Sequence, residues 1–362
     1  MAAMSSHKLA AYKPAVEVDG SDGCPVPLSE LKEPLVLKGA LRACTWPALR
    51  WGTGLQALKN ELGDRLVSLR FGPRSCLGQR TSWEGQCERL SDIRLGEFCA
   101  WLSGEEVGSI PFDASSSWGY CAYQHFEAMF KDIADSNRAA ADFSRLLPKE
   151  KFPISVPGAP TLWLGSQGAR TPCHQDAYGH NLVAQMAGEK LWLLFPPSST
   201  WLGPHRLPYE DSSTFTDVDP FIELPPGCSG VVVALKPGDV LAVPQHWFHA
   251  VECTSDWSLS LNQWLHAKGD EAQRVHEAVA RCLATPLVEC RFEEWWLNPD
   301  EELLDTVDNV DYLASALKAA SDDHEDVTPE AVQAALLRAA THPEVPSTVT
   351  CHIETSSSSH DP

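Results

Sequence analysis

Between residues 162 and 264 the chain carries six short apolar segments parted by glycine and proline turns. They cover 162–164, 181–186, 190–195, 230–235, 239–243 and 258–264. The separators include Gly165, Gly188, Pro196-Pro197 and Lys236-Pro237-Gly238. No helical spacing falls between them. Strands this short, with turn signals and no helices to cross over, point to an antiparallel barrel or sandwich.

The flanks are mixed. Upstream, 34–37 reads as a short buried strand, and 65–70 and 118–123 have strand composition. Helices are expected at 54–62, where Leu55, Leu58 and Leu62 share a face, at 95–102 and over most of 126–143. Trp46 should be extended because Pro47 follows it. Residues 72–92 read as a loop or hairpin, and residues 1 to 30 as a flexible lead. Downstream, 271–283 is amphipathic, with Val275, Val279, Cys282 and Leu283 on one face. Further helices are expected at 310–320 and 329–340, the latter with Thr328 as its cap and Pro329 at its first position. Residues past 343 are rich in serine and threonine and are expected to be disordered.

Charge and cysteine content narrow the function classes. The formal net charge is −21, which repels a phosphate backbone, so direct nucleic-acid binding is disfavoured. From 293 to 330 there are thirteen acids and one base, Lys318, which suits a basic partner or simple solvation. No segment has the run of apolar residues that a membrane span needs, and the first residues have no leader-like apolar run. The twelve cysteines include no C-x-x-C pair, so zinc-finger and thioredoxin readings are weak. Free thiols imply a reducing compartment, so the cytoplasm is expected, with the nucleus also open. Cys173, beside His174, reads as a small buried neighbour.

The chemistry centres on His174 and Asp176. Side chains two apart on a strand point the same way, so this pair offers two adjacent metal ligands. A lone His-x-Asp is common by chance. A third ligand raises its weight, and His249 follows a Gly-Asp hairpin whose exit delivers a histidine. Two histidines and one carboxylate on one face are the facial triad of non-haem Fe(II) oxygenases. Zinc competes as the metal, and His246 competes as the third ligand, although it sits nearer the turn. 2-Oxoglutarate would chelate such an iron and leave a carboxylate that needs a cation. Lys190 heads an apolar strand and is the candidate anchor, against the plainer reading of a surface lysine at a turn. Thr171 and Tyr120 offer hydroxyls to the same carboxylate. Asn181 and Asn262 lie in apolar runs, where cosubstrate contact and core hydrogen bonding are equal alternatives.

Five stretches carry a family resemblance: WPALRW, LWLGSQGARTPCHQDAYGHNLV, GEKLWLLFPP, LKPGDVLAVPQHWFHAVE and SLSLNQW. Together they cover about 33–285, and over that span the chain resembles the JmjC-domain family. The resemblance implies a mostly β, α+β fold: a double-stranded β-helix (cupin, jelly-roll) core with an N-terminal α/β elaboration and C-terminal helices. It implies a parse into a lead (1–30), an N-terminal α/β part (31–152), the core (153–268), a helical region (269–342) and a tail (343–362). It implies a dioxygenase using Fe(II), 2-oxoglutarate and O₂. The implied iron ligands are His174, Asp176 and His249. The implied oxoglutarate residues are Lys190, Thr171, Asn181, Asn262 and Tyr120. The step from Asp176 to Asn181 is one residue longer than in asparaginyl-hydroxylase relatives, which leaves His180 as an alternative to Asn181. It also marks 177–180, with Tyr178, as the expected lip of the substrate pocket. Hydroxylation of a protein or peptide side chain is the first expectation, and lysine demethylation uses the same step. TPCHQDAYGHNLV and LPYEDSSTF resemble most a branch that binds a small heat-shock protein, which implies a scaffold in a stress response as the alternative. The C-terminal helices must bury their apolar faces, on the core or in a homodimer.

Overall fold

The structure, a computed structural model, describes residues 12–74, 87–129, 141–147, 160–203, 213–216, 218–222, 224–288, 306–322 and 328–340. Six strands and two helices come first: β1 (Tyr12–Pro14), β2 (Val16–Asp19), β3 (Leu35–Lys38), α1 (Leu55–Leu62), β4 (Leu66–Pro73), β5 (Glu88–Arg94), α2 (Leu95–Leu102) and β6 (Ser117–His125). Nine strands follow: β7 (Thr161–Ser166), β8 (Arg170–Asp176), β9 (His180–Ala187), β10 (Lys190–Phe195), β11 (Ser213–Phe215), β12 (Gly230–Leu235), β13 (Val240–Val243), β14 (Phe248–Cys253) and β15 (Trp257–Leu265). Three helices close the described chain: α3 (Asp270–Val288), α4 (Thr306–Asp322) and α5 (Pro329–Ala340).

The strands form two sheets, as expected of a jelly-roll core with flanking helices. One runs β1-β12-β10-β14-β8-β11, and the other β2-β3-β13-β9-β15-β7-β6-β4-β5. Each segment alternates between the two faces of its sheet. In β10, Trp192 and Leu194 pack between the sheets with Val183, Val231 and Val251. Leu193 and Phe195 pack on the opposite face with Tyr12, Leu202 and Phe248. The same period turns Lys190 inward with Trp192. In β15, Leu259, Leu261 and Leu265 join the main core, while Ser260, Asn262 and Trp264 face the lumen.

Two expectations change. Residues 12–19, expected in a flexible lead, add a strand to each sheet: β1 pairs in parallel with β12, and β2 with β3. Over 126–143 the described helix is one turn, Phe126–Met129, followed by a 3-10 turn at Phe143–Leu146; residues 130–140 lie outside the described residues. Residues 148–159 and 341–362, which hold most of the expected proline connector and the expected tail, also lie outside them.

The downstream helices pack as their faces require. Val275 and Val279 of α3 meet Leu313, Ala316, Leu317 and Ala320 of α4, and Val332 of α5 joins them. Thr328 Oγ1 accepts the Ala331 N–H at 3.2 Å and caps α5. Among the described residues no helix is long and apolar enough to cross a membrane.

Candidate metal centre

β8 and β14 are antiparallel neighbours, and their register sets His174 opposite His249. Asp176 lies two residues along β8 on the same face. One ligand atom from each of the three lies within 4.8 Å of the others. His174 Nε2 is 3.4 Å from Asp176 Oδ1, and His249 Nε2 is 3.9 Å from Asp176 Oδ2. Both rings are oriented from behind. His174 Nδ1 lies 2.8 Å from the Pro172 carbonyl, and His249 Nδ1 lies 3.0 Å from the Trp247 carbonyl. A carbonyl only accepts, so each Nδ1 carries the proton, and a neutral ring turns its Nε2 lone pair to the carboxylate. Burial, then the neighbouring His174, pushes His249 down to about 4, so it is neutral at neutral pH. Burial opposes ionisation of Asp176, but in acid, where a carboxyl titrates, the positive charge of the neighbouring His249 and His174 and the Trp264 N–H outweigh it and hold the carboxyl well below its ordinary range. Two imidazole nitrogens beside one ionised carboxylate are a donor set that a divalent cation completes. The residues therefore fit a metal ion.

The rival ligand is elsewhere. His246 has a left-handed φ of 65°, and its Nε2 reaches the Ala177 carbonyl at 3.3 Å. It ties the turn before β14 to the loop after Asp176.

A pocket runs from this cluster into the lumen, lined by the three expected iron ligands and the five expected oxoglutarate residues. Alternation alone would not put them there. Thr171 and His174 are three apart and should face opposite ways. The register between β14 and β8 shifts between His249 and Val251, so β8 carries one extra residue and both side chains turn inward. β6 does the same: its register with β7 shifts between Cys121 and Gln124, and Tyr120 and Tyr123 both line the pocket. Tyr123 sits in this bulge at a φ of 52°.

Lys190 lies deep in the pocket and is 2% exposed. Its Nζ donates to Ser260 Oγ at 2.7 Å and lies 5.5 Å from the centre of the Tyr120 ring. Among the described residues it has no carboxylate partner, and burial lowers its pKa from the ordinary 10.5. Thr171 Oγ1 and the Tyr120 hydroxyl, 3.5 Å apart, stand with it. The surface reading of this lysine is thereby overturned.

The asparagines resolve differently. Asn181 lines the pocket and donates to Asp176 Oδ2 at 3.3 Å, and Asn262 donates to Asn181 Oδ1 at 2.9 Å. His180 does not line the pocket; its Nδ1 accepts the Gln245 N–H at 3.1 Å. Sequence reasoning does not single out Ser260, Trp163, Tyr123, Trp192 or Trp264. The signal for Ser260 and Trp264 is present in SLSLNQWL, where leucines at 259, 261 and 265 mark the core face and the residues between, at 260, 262 and 264, face the lumen.

The loop after Asp176 is held by α3. Asp270, 1% exposed, accepts from Gly179 N at 3.0 Å, Gln245 Nε2 at 2.6 Å and Ala267 N at 2.8 Å. Tyr178 donates its hydroxyl to Glu277, and the Arg274 guanidinium lies 4.1 Å from the Tyr178 ring centre.

Comparison with known proteins agrees with the two-sheet fold. A family model described as a cupin-like domain matches residues 28–271. HSPB1-associated protein 1 of Rattus norvegicus is 38% identical over 290 residues, 76% of this chain and 58% of that protein. A homologue of the same name in Danio rerio is 33% identical over 298 residues, 78% of this chain and 64% of that protein. Lysine-specific demethylase JMJ32 of Arabidopsis thaliana is 25% identical over 302 residues, 70% of this chain and 83% of that protein. The chain thus spans less than two thirds of the length of its HSPB1-associated relatives. With the family model spanning both sheets and the pocket between them, the chain belongs to the cupin-like, JmjC-type domain family.

Proposed function

We propose that the chain is an Fe(II)- and 2-oxoglutarate-dependent dioxygenase that hydroxylates a protein side chain. The observation that carries this is the pairing of two incomplete sites in one pocket: a three-residue ligand set at one end and a buried lysine at the other. A 2-oxo dicarboxylic acid has a chelating end and an anionic end, and so fits both. Zinc fits the ligand set less well, because a buried cation beside it has no use in a four-coordinate zinc site.

Iron held there supplies O₂ activation, with 2-oxoglutarate oxidised to succinate and CO₂ and one oxygen atom passing to the substrate C–H. The chain's residues do the rest. His174, Asp176 and His249 would hold the ion. Lys190, with the hydroxyls of Ser260, Thr171 and Tyr120, receives the distal carboxylate. Trp163, Trp192 and Tyr123 wall the pocket and exclude bulk water.

A second reading follows from the relatives' names. The chain would serve as a scaffold for a small heat-shock protein, with the pocket idle. Demethylation of methyl-lysine, in the sense of the Arabidopsis relative's name, would share the hydroxylation step of the first reading. The deciding experiment is 2-oxoglutarate turnover by purified protein with Fe(II), in wild type and His174→Ala. Metal-dependent succinate release lost in the variant supports the enzyme. No release and no metal binding support the scaffold. Mass spectrometry of candidate peptides then reads a gained oxygen or a lost methyl group.

A further inference from the structure

We propose that Trp264 and Asn181 are positioning residues that make Asp176 a one-oxygen ligand, with Oδ1 toward the ion. The inference rests on the reading of His174, Asp176 and His249 as a metal site.

Both side-chain N–H groups that reach Asp176 go to the same oxygen. Trp264 Nε1 donates to Oδ2 at 2.9 Å, and Asn181 Nδ2 donates to Oδ2 at 3.3 Å. Oδ1 receives neither of them and lies 3.4 Å from His174 Nε2, closer than the 3.9 Å between Oδ2 and His249 Nε2. Trp264 and Asn181 are themselves cross-strand partners on β15 and β9, so one ladder position delivers both donors.

The Asn181 donor is held in turn. Its Oδ1 accepts from Asn262 Nδ2 at 2.9 Å, and Asn262 Oδ1 accepts from Trp163 Nε1 at 2.7 Å. This chain can be read in only one direction. An indole N–H only donates and an ionised carboxylate only accepts, so both amides between them must present oxygen toward Trp163 and nitrogen toward Asp176. Flipping either amide would break two bonds. Both asparagines are buried, at 6% and 2% exposure, so water cannot readily replace a lost partner. The carboxylate therefore cannot rotate to offer both oxygens to an ion without breaking bonds to β9 and β15. An ion held there would then take one oxygen from Asp176 rather than two.

The test is titration of metal-free protein with Co(II), read by visible absorption, with thermal melting as the folding control. Trp264→Phe is expected to bind Co(II) about 10-fold more weakly, as loss of an outer-shell partner does, and with a changed ligand-field spectrum. His174→Ala is expected to show no such spectrum. A Trp264→Phe protein that matches wild type in both affinity and spectrum overturns the proposal. Should that variant fail to fold, Asn181→Ala removes the second donor to the same oxygen and is expected to weaken binding about 3-fold or more. Wild-type behaviour there overturns it equally. If wild-type protein itself takes up no Co(II), the metal reading fails and the positioning role falls with it.

Discussion

At one end of the pocket two imidazoles and a carboxylate crowd together, each fixed by a hydrogen bond from behind. At the other end Lys190 is buried against a serine hydroxyl and a tyrosine ring. The first end is rich in lone pairs and ready for a cation. The second end is a cation ready for an anion. Neither is a stabilising arrangement by itself. A buried charge without an opposite partner costs several kcal/mol. The two ends thus describe one ligand pair, a metal ion and a carboxylate-bearing chelator, and they fail in different ways when changed.

Removing the metal end should have the largest effect. Asp176→Ala takes away one ligand and the anchor of the Trp264 and Asn181 bonds. Fe(II)-dependent 2-oxoglutarate turnover is expected to fall to background, and calorimetry should show no tight Fe(II) or Co(II) binding.

Lys190→Met breaks the other end and should split affinity from stability. The affinity for 2-oxoglutarate is expected to fall about 100-fold, the cost of losing one partner of a buried charge pair. The ligand-free variant is expected to melt higher than wild type, because an apolar side chain replaces an unpaired buried ammonium. A destabilised variant with unchanged affinity would mean that Lys190 is a core residue and no anchor.

The same lysine gives a pH signature. Burial lowers its folded-state pKa below the ordinary 10.5, so over that interval the unfolded chain binds the extra proton. Stability then rises with pH as the folded lysine loses its charge, up to about 10.5. Buried thiols and phenols such as Cys99 and Tyr12, which burial pushes up, oppose this rise, so denaturant melts of ligand-free protein at rising alkaline pH should show this contribution as a difference in slope from protein without it. Lys190→Met, and wild type saturated with a dicarboxylate, should lack it.

Ser260→Ala should have the smallest effect. It removes one hydroxyl from the anchor, about 1 kcal/mol, which is about 5-fold in 2-oxoglutarate affinity with metal binding unchanged.

Much of this pocket was legible in the residues, and the reasons for the gaps are physical. β10 and β15 are apolar runs that read as strands from pattern alone, but pattern leaves Lys190 open to a surface reading and Asn262 open to core hydrogen bonding, and it is the pocket that places them. β8 could not: RTPCHQD is polar and contains Pro172, so it has little strand character apart from its pairing with β14 and β11. Its bulge reverses the alternation between Thr171 and His174, and no local pattern records a bulge. The link from Asn181 to Asp176 was equally hidden, since it joins β8 and β9, which lie in different sheets. β1 and β2 pair in parallel with distant strands, and Val16 is exposed, so their sequence carries little hydrophobic signal. His246 and His249 differ by one turn, and the left-handed backbone at His246 decides between them.

The most direct measurement is an anaerobic titration of Fe(II)-loaded protein with 2-oxoglutarate, following the visible charge-transfer absorption that a chelated 2-oxo acid gives. The expected result is saturable absorption in wild type, none in His174→Ala, and the same band at about 100-fold weaker affinity in Lys190→Met. Absence of the band in Fe(II)-loaded wild type, or equal affinity in Lys190→Met, would contradict the two-ended site.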